Sequence, residues 1–129
     1  MQFGATEVAD PAAVDVAAIE PVHAFVDATG VPAAVVSGIK AVGPAGHVVL
    51  VGMGADDYAL PVSHIANLEI TVTGVFRYTD TWPAAIHLVS TGAVDLDAMV
   101  TGRYDLDQAG EALDSDSDPA SLKSIVVPS

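Results

Sequence analysis

Three short apolar runs, separated by segments with helical spacing, constrain this chain most. They are "HAFVDAT" at 23–29, "HVVLVGMG" at 47–54 and "LEITVTGVF" at 68–76. Near-continuous apolar runs of this length read as strands buried on both faces, the pattern of parallel sheets. Between the first two lies "VPAAVVSGIKAV", 31–42. Pro32 suits a helix start, where a missing N–H costs little, and Ala33, Val36, Ile39 and Lys40 step at helical spacing. "GPAG", 43–46, reads as a turn. "TWPAAIHLVSTG", 81–92, reads as a second helix, with Thr81 to cap it, Pro83 in its first turn and Gly92 to close it.

The remaining segments are weaker. "EVA" at 7–9 reads as a short strand end, and "PAAVDVAAIEP" at 11–21 as loop or weak helix. "ADDYALPVSHIAN" at 55–67 reads as a loose connection and "DLDAMVTGRYDL" at 95–106 as mixed. "DQAGEALD", 107–114, predicts a short helix, and "LKSIVVPS", 122–129, a last strand. No repeat and no linker divides the chain. The alternation predicts an α/β fold with a parallel, doubly wound sheet. Ligands of such sheets sit beyond the carboxyl ends of the strands. Those ends are Thr29 and Gly30, Val51 to Gly54, and Val75 to Tyr78.

Charge excludes several partners. Seventeen acidic residues against four basic ones give a net charge of −13 over 129 residues. Nucleic acid binding needs a basic footprint that this chain lacks, and an anionic membrane surface is disfavoured for the same reason. A mean hydropathy of +0.48 argues for a globular chain. With no cysteine, disulfides and thiolate zinc sites are excluded. "MQFGATEVAD" lacks the basic start and apolar block of a signal peptide, and the apolar region 31–55 is broken by Lys40, Gly43, Pro44 and Gly46. A cytoplasmic location is expected.

Few motifs carry chemistry. "VGMG" at 51–54 allows either a strand-end turn or close backbone approach to a ligand. It is not the dinucleotide fingerprint, which opens a helix. "DSDSD" aligns Asp114, Asp116 and Asp118 like a calcium loop, but Pro119 stands where that loop needs Gly and Ile125 where it needs Glu. His23, His47, His64 and His87 are dispersed, and Ser37, Ser63 and Ser90 lie in no GxSxG elbow. Arg77 stands apart. It is one of two arginines, with Arg103, and sits at a strand end between Phe76 and Tyr78. Either it pairs with Asp80 or Asp57, or it aims five donors at hydroxyl or carboxylate groups of a ligand.

"DATGVPAAV", "GHVVLVGMG", "LEITVTGVFRYTDTWPAAIHLVSTGAVDL" and "ALDSDSDPASLKSIVVPS" together resemble the C-terminal portion of the sorbitol (polyol) dehydrogenases. These belong to the zinc-dependent medium-chain alcohol dehydrogenases. "GVFRYTDTWP" is the most specific block and points to the polyol branch, with its xylitol and arabinitol relatives. The resemblance implies a partial Rossmann-type sheet, strands 3 to 6 of a coenzyme domain, over residues 1–106. Residues 107–129 would form a helix and strand that return to the catalytic domain.

It also implies roles. Val51, Gly52 and Met53 would line an NAD site at its nicotinamide end, with Val75, Phe76 and Arg77 also on the coenzyme. Arg77 and Tyr78 would reach polyol hydroxyls. Tyr58 to Val62 would lie near a subunit interface, since family members are usually dimers or tetramers. Zinc ligands, typically Cys, His and Glu, and the GxGxxG turn belong to parts of the family fold that this sequence does not contain. The choice between NAD and NADP is made upstream too, and NAD is the family's usual coenzyme. The expectation is therefore a fragment, inactive by itself. The absent strands 2 and 1 would leave roughly 10–15 Å between strands 3 and 4, at about 4.8 Å per strand. Strand 4 would then present an open edge. A non-enzymatic remnant that joins full-length subunits through that edge is the alternative.

Overall fold

The computed structural model describes residues 3–128, except for the side chain of Asp116. The chain divides into two compact units, Met1–Arg77 and Tyr78–Ser129. In the first, β1 (Val22–Asp27), β2 (Val42–Leu50) and β3 (Thr71–Gly74) form a parallel sheet in the order β1-β2-β3. All three apolar runs thus enter one parallel sheet, as their pattern predicts. "EVA", 7–9, forms no strand. The sheet of this unit ends at β1, so the gapped arrangement with a detached strand 3 is corrected: a three-residue segment has no neighbour to supply its ladder of hydrogen bonds.

Helix α1 (Pro32–Ala41) packs on β1 and β2. Pro32 takes the first turn and Lys40 the last, where its charge complements the helix dipole. Val35, Gly38 and Ile39 are buried at i, i+3 and i+4, one face of the helix. Gly38 is the point of contact: a Cβ there would strike the ring of Phe25 from β1. Val35, Ile39, Val42, Val48 and Ile70 form the buried core, ringed by Phe25, Leu50, Tyr58, Ile65, Leu68 and Val72. Each fully buried Val or Ile contributes about 1.5–3 kcal/mol relative to exposure.

The "GPAG" turn exists, but inside a strand. β2 starts at Val42, directly after α1, and pairs Val42 with Val22; the next pair is His47 with Ala24. Residues 43–46 therefore bulge from the ladder. Ala45 turns the chain with φ of 55° and donates its N–H to the Leu68 carbonyl at 2.7 Å. The loose segment 55–67 holds an unexpected short helix, α2 (Val62–Asn67). Its turns are too few to show a period, and Ile65 packs it against the core.

The second unit contains α3 (Trp82–Ser90), β4 (Gly102–Tyr104), α4 (Ala109–Asp114) and β5 (Ser124–Val126). α3 lies where expected and Gly92, with φ of 73°, closes it, but Thr81 makes no side-chain capping bond. β4 and β5 pair in parallel, Gly102 with Ser124 and Tyr104 with Val126, and α4 packs against both. β4 was hidden in the mixed segment because three residues carry no readable alternation. Among the described residues, no helix is long and apolar enough to cross a membrane.

Candidate functional site

The strand ends of the first unit meet in one row. Asp27 pairs with Leu50, and Leu50 with Gly74. The ladder runs one step further: Val51 and Gly52 donate their N–H groups to the Asp27 carbonyl at 2.9 and 3.0 Å, and Val75 donates to Leu50 at 2.9 Å. The segments Val51–Gly54 and Val75–Arg77 therefore leave neighbouring strands at the same carboxyl edge. Apolar side chains stand in the open there. Met53 is 83% exposed and Phe76 72%, with Val51 and Val75 about half exposed.

Beneath this edge lies a residue that motif reading passed over. Asp27 is only 2% exposed, and its carboxylate is fully engaged. Oδ1 accepts from the Thr29 hydroxyl at 2.7 Å and the Thr29 N–H at 3.0 Å; Oδ2 accepts from the Gly30 N–H at 3.0 Å. The Thr29 hydroxyl accepts in turn from the Val31 N–H at 3.1 Å. The hydroxyl bond, aided by the N–H groups of Thr29, Gly30 and Gly52, outweighs desolvation and holds the carboxyl below its ordinary value. In sequence Asp27 is an ordinary acid closing an apolar strand, separated from Thr29 and Gly30 by Ala28, so nothing local marked it.

The glycines of "TG" and "VGMG" interlock. A Cβ on Gly52 would overlap the Gly30 nitrogen and lie 2.6 Å from that of Thr29. A Cβ on Gly54 would overlap the Gly30 carbonyl oxygen, and one on Gly30 would overlap the Met53 carbonyl. Gly30 also has φ of 67°, a conformation that costs other L-residues about 1–2 kcal/mol. These glycines let the two loops pack backbone against backbone.

Arg77 ends the first unit with φ of 61°. Its guanidinium lies 5.1 Å from the centre of the Phe76 ring, within cation–π range. Tyr78 begins the second unit, where its ring meets that of Trp82 at 5.2 Å, tilted by 52°. In the acidic C-terminal segment, the side chain of Asp116 lies outside the described residues, and the Asp118 carboxylate accepts from the Ala120 N–H at 2.8 Å.

A family model described as zinc-binding dehydrogenase matches residues 1–91. The chain belongs to that family. It is 36% identical to the sorbitol dehydrogenase of Ovis aries over 101 residues, 78% of this chain and 28% of that protein. It is 37% identical to the L-arabinitol 4-dehydrogenase of Penicillium rubens over 93 residues, 72% of this chain and 24% of that protein. Among solved structures, a zinc-binding dehydrogenase from Sinorhizobium meliloti bound to NADP superposes with a TM-score of 0.86 at 28% identity. That match covers 97% of this chain and 40% of the other. The chain thus spans about a quarter of the curated family members it matches. The mixed α/β structure with parallel strands and its likeness to these dehydrogenases agree with a partial Rossmann-type fold.

The metal in the family's description can be tested against this chain. There is no cysteine among the 129 residues. Among the described residues, no three His, Asp or Glu side chains converge on a point. Among the described residues, the side chains present do not fit a zinc ion.

Proposed function

We propose that this chain is the C-terminal, coenzyme-domain portion of a cytoplasmic, NAD-linked polyol dehydrogenase that oxidises a secondary alcohol to a ketose. The observation that carries this reading is the shared carboxyl edge, with Val51–Met53 and Val75–Arg77 side by side and their apolar side chains exposed. That edge fits the nicotinamide end of a coenzyme. A flat ring needs apolar surface and a backbone that approaches closely, which Val51, Gly52, Met53, Val75 and Phe76 supply. It does not fit the pyrophosphate end: α1 opens with Pro32, whose missing N–H removes a donor that a phosphate would need.

A nicotinamide held by Val51, Met53, Val75 and Phe76 would supply the hydride acceptor for the carbinol carbon. This chain's residues place the alcohol. Arg77 presents N–H donors to hydroxyl oxygens, and Phe76 holds its guanidinium in one region. No step is assigned to zinc. Residues 1–106 act as the coenzyme portion, and 107–129 return to the catalytic domain. Tyr58 to Val62 lie at the interface of a homo-oligomer.

Two measurements test the reading. The purified 129-residue chain with sorbitol or xylitol and NAD yields no NADH; measurable production would overturn the fragment reading. Millimolar NAD shifts the amide resonances of Val51–Met53 and Val75–Arg77; shifts confined to other residues would remove the coenzyme assignment.

One observation favours a second reading, a remnant that associates with full-length dehydrogenase subunits. β1 is an edge of its sheet, and Val26 on it is 59% exposed. An edge strand with apolar side chains is a template for pairing with another chain. Co-purification with a full-length polyol dehydrogenase supports this reading, and its absence at equal expression refutes it.

A further inference from the structure

We propose that Asp27 is a positioning residue that clamps the Thr29–Gly30 loop against Val51–Gly54 and so sets the geometry of the segment that faces the nicotinamide. The placement on nicotinamide rests on the reading above; the clamp rests on hydrogen bonds and close packing alone. One residue joins three segments. The Asp27 carbonyl accepts from Val51 and Gly52, while its carboxylate accepts from Thr29 and Gly30. The loop it holds is pressed against the other loop with no space for a single added carbon at Gly30, Gly52 or Gly54.

The chemistry explains why an acid stands here. Three donors converge on the two carboxylate oxygens, which act only as acceptors. An ionised carboxylate satisfies them, whereas an amide turns two donors of its own toward one side and leaves an N–H opposed. Burial makes that mismatch costly. Met53 and Val51 lie outside the buried core, so their segment takes its position mainly from this clamp and the ladder.

The test uses the 129-residue chain, labelled for amide hydrogen exchange and two-dimensional NMR, with nicotinamide mononucleotide as probe. Asp27→Asn and the isosteric Thr29→Val each remove part of the clamp, and Thr29→Ser restores the hydroxyl. The expected result is a loss of about tenfold in exchange protection at Gly30 and Gly52 for Thr29→Val. Ile39 and Val48 keep theirs, and Thr29→Ser recovers the wild-type value. Probe-induced shifts at Gly52 and Met53 weaken in Thr29→Val and return in Thr29→Ser. Unchanged protection at Gly30 and Gly52 in both Asp27→Asn and Thr29→Val would overturn the clamp. Failure of the probe to shift Val51–Met53 in the wild-type chain would remove the nicotinamide reading instead, while the exchange measurement still decides the clamp. If Asp27→Asn does not fold, Thr29→Val carries the test, because it preserves shape.

Discussion

Gly52 and Gly30 lie so close that a Cβ on the first would overlap the main-chain nitrogen of the second. Contact between backbones cannot be relieved by a rotamer change. Gly52→Ala should therefore cost about 1–3 kcal/mol or more, as overpacking does in a filled site. Gly74, at the end of the neighbouring strand, is the control: nothing lies within 4 Å of a Cβ placed there. Gly74→Ala should stay within about 0.5 kcal/mol of wild type. Urea unfolding of both variants checks the contrast, and equal losses would contradict it.

Asp27 makes the stability of the fold acid-sensitive. Its carboxyl is held below the ordinary 3.8, first by the Thr29 hydroxyl bond and then by the surrounding N–H groups, against desolvation. A depressed folded value means that the unfolded chain binds the proton more readily. The stabilisation is thus fully present above about pH 4 and is lost as pH falls through the folded value. Unfolding free energies measured from pH 7 down to pH 2 should diverge between wild type and Thr29→Val above that window and converge below it. Parallel curves at every pH would show that Asp27 contributes no such linkage.

Arg77 is held in a left-handed conformation that glycine adopts at no steric cost. Arg77→Gly removes strain of about 1–2 kcal/mol. It also removes an exposed cation–π contact of about 0.5–1 kcal/mol and adds unfolded-state entropy. Stability should change by less than about 1 kcal/mol, while NAD-induced shifts at Val75 and Phe76 weaken several-fold. A large loss of stability would mark Arg77 as structural.

Ile39 is fully buried between α1 and the sheet, in contact with the core of Val35, Val42, Val48 and Ile70. Ile39→Ala should destabilise by about 2–5 kcal/mol and Ile39→Val by about 0.5–1.5 kcal/mol. Thermal or urea unfolding checks both. A cost near zero for Ile39→Ala would mean that α1 does not close the core of this unit.

Sequence alone determined the elements whose signal is local and repeated. The apolar runs around Phe25, Val48 and Val72 marked three parallel strands, Pro32 and Pro83 marked helix starts, and Gly92 marked a helix end. The strand-end position of "VGMG" and of Phe76–Arg77 was legible for the same reason. Tertiary structure decided what depends on contacts across the chain. It absorbed "GPAG" into β2, because Ala45 found a partner in Leu68. It folded 62–67 into a helix, because Ile65 had a core to cover. It denied "EVA" a strand. Above all it gave Asp27 its place: an acid at a strand end is ordinary in sequence, and only the convergence of Thr29, Gly30 and Gly52 makes it the point where two loops are joined. Periodicity is written in neighbouring residues; this clamp also needs Gly52, which only the fold brings to Asp27.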